Sequence, residues 1–193
     1  MTETVAPVRC LLDAALTRPT GYPVVAPAAL PSRDELLAAI AGHLTDTPAL
    51  IGWARELGDL HASLIPRTVD PWQRANGFDE HAVHAEIADH IAEINSWAVF
   101  HLPRNPVARM HTHSLGEVIS HVAKTYAEAW WTVLHTATKA STDGDDEELR
   151  HEAWFHLGEV WEGYAQLVED MKSRRVQLPL GWRGVPRTPP STT

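Results

Sequence analysis

Between residues 101 and 121 the chain gathers four histidines and two arginines: His101, Arg104, Arg109, His111, His113 and His121. Imidazole titrates near neutral pH, so His111 and His113, two residues apart, can work as an acid/base pair. Arg104 and Arg109 can hold a carboxylate or phosphate. His111 and His113 also bracket a helix start, where free backbone N–H groups favour an anion. The chemistry this points to is proton transfer by His111 and His113 on a small anionic substrate held by Arg104 or Arg109. Trp97 would wall the pocket, and His101 and His121 would add substrate contacts. A capped helix with partly buried, hydrogen-bonded histidines is the alternative, because perturbed titratable groups also serve structural ends.

A second pattern is Glu followed four residues later by His, at Glu80/His84, Glu86/His90, Glu117/His121 and Glu152/His156. Chance gives about one such pair in a chain of this composition. A carboxylate and an imidazole one turn apart can chelate a metal, and helical bundles host di-iron sites. Glu86, His90, Glu117, His121, Glu152 and His156 are therefore an alternative ligand set for Fe or Zn. The di-iron spacing Glu-x-x-His occurs only at Glu148/His151. Moreover, Glu86, His90 and Glu93 fall opposite Ile87, Ile91 and Ile94, which makes them read as a solvated face. Helical pairs there are worth a few tenths of a kcal/mol each. The first expectation is thus no metal and no cofactor.

Other chemistries are excluded by composition. Among 193 residues, Lys and Arg number 16 and Asp and Glu 25, a net charge of -9. That balance argues against nucleic acid and anionic membrane surfaces as partners. No Gly-rich phosphate loop, dinucleotide fingerprint or nucleophile elbow occurs. The single Cys10 has no His nearby in sequence, which disfavours a thiolate nucleophile and fits a reducing cytoplasm. Met1 to Thr4 carries an acid and no basic run, and Pro7 and Arg9 break up any apolar run after it, so no signal peptide is expected. No stretch approaches the roughly 18 apolar residues of a membrane span.

The elements that must position these residues are all helical. Pro19, Pro23, Pro27 and Pro31 make residues 1–31 a Pro-rich segment, with 18–31 an extended strap. Ser32 and Glu35 form a capping box that opens a short helix over about 32–44. Thr47-Pro48 opens a second over about 48–64, and Asp79 caps a third over about 80–100. Ser114 and Glu117, again a capping box, open a fourth that reaches about 139. Acids around Asp145 start a fifth that ends near 175, with Arg174 and Arg175 complementing its dipole. Apolar residues at helical spacing predict that Ile87, Ile91, Ile94, Val122, Tyr126, Leu157, Trp161 and Tyr164 are buried together. Trp154, seven before Trp161, belongs to the same stripe, whereas Trp97 and Trp131 fall toward polar faces. The expected architecture is all-α: an antiparallel bundle of four long helices plus a short N-terminal helix over 32–176, no sheet, and a Pro-rich tail over 177–193.

From Ile87 to Pro179 the chain resembles an uncharacterised bacterial family of unknown function, common in high-GC genomes. The residues that carry the resemblance are Ile94-Asn95-x-Trp97, His101-Leu102-Pro103 and Met110-His111-Thr112-His113-Ser114-Leu115-Gly116. His151-x-Ala153-Trp154, Gly163-Tyr164 and Arg174-Arg175-x-x-Leu178-Pro179 complete the set. The family motif reads L-H-T-E-T-x-G with an Asp-Arg pair beyond it. His111, Thr112 and Gly116 match, His113 replaces the acid, and Ser120-His121 replaces the pair. The resemblance implies an all-helical fold and no particular reaction, and this chain resembles a divergent member.

Three functions remain open on these residues. The first is a small-molecule enzyme using cofactor-independent His acid/base chemistry on a small anionic substrate, as in bacterial specialised metabolism. The second is a non-catalytic binding protein or dimeric scaffold, since twofold homodimers are the commonest soluble oligomers. The third is a metal-dependent, di-iron-like bundle enzyme. The first requires the imidazoles of His111 and His113 to open onto one cavity shared with an arginine.

Overall fold

A computed structural model describes residues 29–44, 48–69, 78–138 and 144–181. It is mostly helical. In chain order come α1 (Arg33–Ile40), α2 (Ala49–Val69), α3 (Glu80–His101), β1 (Arg109–Met110), α4 (Leu115–Thr138), α5 (Gly144–Lys172) and β2 (Val176–Gln177). Among the described residues no helix is long and apolar enough to cross a membrane.

The helix starts obey local chemistry. At α1, Glu35 N donates to Ser32 Oγ at 3.2 Å and Ser32 N donates to Glu35 Oε2 at 2.8 Å. At α3, Asp79 Oδ1 accepts from His81 N and Ala82 N. At α4, Ser114 N and Oγ donate to Glu117 Oε2 at 2.7 and 2.8 Å, and Glu117 N returns to Ser114 Oγ at 3.4 Å. Each cap satisfies amides that the first helical turn leaves without a partner. The proposed caps at Thr47 and around Asp145, and the strap over 18–28, lie outside the described residues or side chains.

The expectation of no sheet is corrected by one small element. β1 and β2 pair in parallel with Arg109 opposite Val176 and Met110 opposite Gln177. His111 N then donates to Gln177 O at 2.8 Å. Two residues per strand are too few to leave an alternation in the sequence.

The core forms where α4 packs against α2, α3 and α5 while α1 closes over α2 and α5. Ile94, Leu115, Ile119, Val122 and Tyr164 are fully buried in it, and the Tyr164 hydroxyl donates to Pro31 O at 3.0 Å. Gly116 lets α3 and α4 approach closely, since a Cβ there would collide with Ile91 O. Ile87 and Leu157 are buried as expected, but Ile91, Tyr126 and Trp161 are only half-buried. Trp154 is 46 % exposed, against the expectation that it shares the core stripe. A stripe needs a facing element, and among the described residues no Cα of α3 comes within 8 Å of a non-neighbouring Cα of α5. Trp97, expected toward a polar face, instead packs against the core. Val176 also joins the core, and so does Leu178, which lies beyond the boundary expected for the tail.

Candidate functional site

The backbones of α3 and α5 stay apart, and a gap lies between their C-terminal ends. It forms a cavity of about 330 Å3, which falls within the size range of small-molecule sites. The end of α3 and its connector supply Ala98, Leu102, Arg104 and Asn105. The last turn of α5 supplies Met171, Lys172 and Arg174, and the segment from Val176 to Leu180 closes the third side. The wall is mainly apolar. Its charged side chains are Arg104, Lys172 and Arg174, and no carboxylate is among the lining residues.

Asn105 braces this site: its Nδ2 donates to Arg174 O at 2.9 Å, joining the α3 connector to the end of α5. Asn95, a buried lining residue, accepts Gly116 N on its Oδ1 at 2.8 Å. Among the described residues, Arg104, Lys172 and Arg174 form no ion pair, whereas the neighbouring Arg175 is held by Asp170 at 2.7 Å. That guanidinium holds the Asp170 carboxyl below the usual carboxylate range.

Of the residues that the sequence offers as a catalytic or substrate site, Arg104 lines the cavity and Trp97, His101, Arg109, His111, His113 and His121 do not. The His111 and His113 ring centroids are 6.0 Å apart, and neither ring lines the cavity. His111 Nδ1 sits 3.0 Å from His113 O and 3.1 Å from His113 N, closing a local turn. His113 is exposed, with Nδ1 2.9 Å from Thr112 Oγ1. Arg109 is exposed on β1. At the start of α4 the Gly116 N–H is taken by Asn95 and the Glu117 N–H by Ser114. Two of the amides that would favour an anion there thus already have partners, and the Glu117 carboxylate adds negative charge.

Trp97 and His101 stack at 4.6 Å, and His101 Nδ1 donates to Trp97 O at 2.8 Å. Trp131 and His135 repeat the arrangement, stacked at 3.8 Å. These pairs are helical neighbours that shield each other's faces. His121 lies on α4, where partial burial, reinforced by His156 and Lys124, holds its imidazole below the usual range.

The alternative metal set is spread over three helices. Glu86 and His90 lie on α3, Glu117 and His121 on α4, and Glu152 and His156 on α5. Glu117 is engaged in its cap, and hydrogen bonding from Ser114 holds its carboxyl low. His156 Nδ1 lies 3.7 Å from Glu159 rather than pairing with Glu152. Among the described residues no group of three or more His, Cys, Asp or Glu side chains converges as metal donors.

One polar pair escaped the sequence reading. His61 on α2 lies with Nε2 2.9 Å from Ser120 Oγ on α4, in a half-buried setting. Burial pushes its imidazole down to about 4, helped by Lys124 and His84. The available signal was its helical spacing from Leu57.

No known protein family, curated protein or solved structure matches the chain.

Proposed function

We propose that this chain binds a small organic anion with an apolar body in the cavity between the ends of α3 and α5. The four long helices then form an antiparallel bundle with its ligand site at one end, a common placement in such bundles. The observation that carries the reading is the wall, apolar over most of its area and edged by three cations without a carboxylate. Apolar burial supplies affinity and the three cations supply sign selectivity. Proton transfer by His111 and His113 is not part of this proposal, because neither ring reaches the cavity.

Isothermal titration with octanoate and with octylammonium, the same chain carrying opposite charges, tests it. Octanoate should bind and octylammonium should not. Equal binding of both, or of neither, would remove the reading.

A homodimer is a second reading, favoured by the large apolar side chains left in solvent. Phe155 on α5 is 63 % exposed, and Phe100 at the end of α3 is 80 % exposed. Light scattering on the purified chain should give twice the chain mass. A monomer at micromolar concentration would dismiss it.

A further inference from the structure

Two helices of this chain end in the same way and differ in one residue. At α1, His43 N donates to Ala38 O and Gly42 N donates to Ala39 O, both at 2.9 Å. At α5, Arg175 N donates to Asp170 O at 2.8 Å and Arg174 N to Met171 O at 3.0 Å. This is the Schellman pattern, in which the residue just past the helix turns left-handed. Gly42 does so at a φ of 77°, without the steric cost of a Cβ. Arg174 does so at a φ of 56° and is the single non-glycine with positive φ among the described residues. The backbone role that Gly42 fills at α1 is thus filled at α5 by a residue that fits it worse.

What Arg174 has that glycine lacks is a side chain, and Arg174 is one of the residues that line the cavity. Its guanidinium has no carboxylate partner among the described residues, although Asp170, one helical turn away, already holds Arg175. Dipole complementation at the helix end does not require it, since Lys172 and Arg175 occupy the same turn. The left-handed backbone therefore carries a strain that no ion pair of the Arg174 side chain offsets among the described residues, which is the pattern of a residue retained for binding. We infer that Arg174 is the specificity-determining residue of the cavity, and that its guanidinium anchors the anionic head of an amphiphilic monoanion such as a carboxylate. Asn105, holding the Arg174 carbonyl, fixes where that guanidinium starts. The inference rests on the reading that the cavity takes an organic anion.

The test compares R174G and R174N with the native chain by thermal melting and by titration with octanoate and octan-1-ol. Both substitutes tolerate the left-handed backbone, so Tm should hold or rise, by about 2 °C for R174G. Octanoate should bind roughly tenfold or more weakly, the loss expected for one charge-assisted hydrogen bond, while octan-1-ol binding stays unchanged. R174K should recover part of the octanoate affinity. Unchanged octanoate binding in R174G would overturn Arg174 as the anchor and leave the cavity reading standing. A lower Tm in both variants, or equal losses for octanoate and octan-1-ol, would also overturn it, by showing that the side chain supports the wall. If the native chain binds neither probe, it is the cavity reading itself that fails.

Discussion

The Asn95 carboxamide oxygen accepts the Gly116 N–H across 2.8 Å, with both residues buried between α3 and α4. This bond does two things at once. It satisfies an amide that the first turn of α4 would otherwise leave unpaired, and it fixes the register of α3 against α4. Gly116 is needed because the helices approach so closely that a Cβ would strike Ile91 O. Asn95 and Gly116 thus explain themselves as packing.

Substitution of either partner should be costly. Gly116→Ala forces the helices apart, a strain of about 1–3 kcal/mol. Asn95→Ala leaves the Gly116 amide buried without an acceptor, for about 1–3 kcal/mol. Denaturant unfolding of both variants measures this. Losses below half a kcal/mol in both would contradict the close-packed geometry.

The His61–Ser120 pair makes stability depend on pH in a defined window. His61 titrates at about 4 in the folded chain, against about 6.5 unfolded. Between these values the unfolded chain takes up a proton that the folded chain does not. Stability is therefore complete above about pH 6.5 and falls as the pH drops toward 4. The groups that hold the ring neutral, besides burial, are Lys124 on α4 and His84 on α3, the latter 3.7 Å from Glu80. A shift of this size corresponds to at most about 3 kcal/mol, reduced by solvent on the open side of the ring. His61→Gln should flatten that part of the profile in pH-dependent melting. An unchanged slope between pH 4 and 6.5 would show that other groups set it.

Core positions should separate by burial rather than by stripe. Ile94 is fully buried, so Ile94→Ala should cost about 2–5 kcal/mol. Ile91, half-buried on the same helix, should cost clearly less. Leu178→Ala should also destabilise, because Leu178 packs in the core although it lies beyond the last helix. Chemical denaturation of the three variants checks the order. Equal losses at Ile91 and Ile94 would mean that α3 is turned differently.

Much of the fold was legible because helices advertise their ends. Ser32/Glu35, Asp79 and Ser114/Glu117 all cap as their spacing requires. The β1–β2 pair was not, being too short for any periodicity, and Trp154 misled because a helical stripe does not say whether a neighbour faces it. Of the candidate site, Arg104 was legible and its companions were not. Arg174 read as a dipole partner of a helix end, and nothing in the sequence tells that α3 and α5 stay apart. His61 was hidden among Leu57, Leu60 and Leu64, where an imidazole reads as one more core-facing position.

The most direct test of the binding site is an amide-resolved NMR titration of the labelled chain with octanoate. Val99, Leu102, Asn105, Val176 and Leu178 should shift together in a saturable way, while His113 and His121, outside the cavity, stay in place. Shifts centred on residues 111–114 with a silent cavity, or no saturable shift at all, would contradict the account.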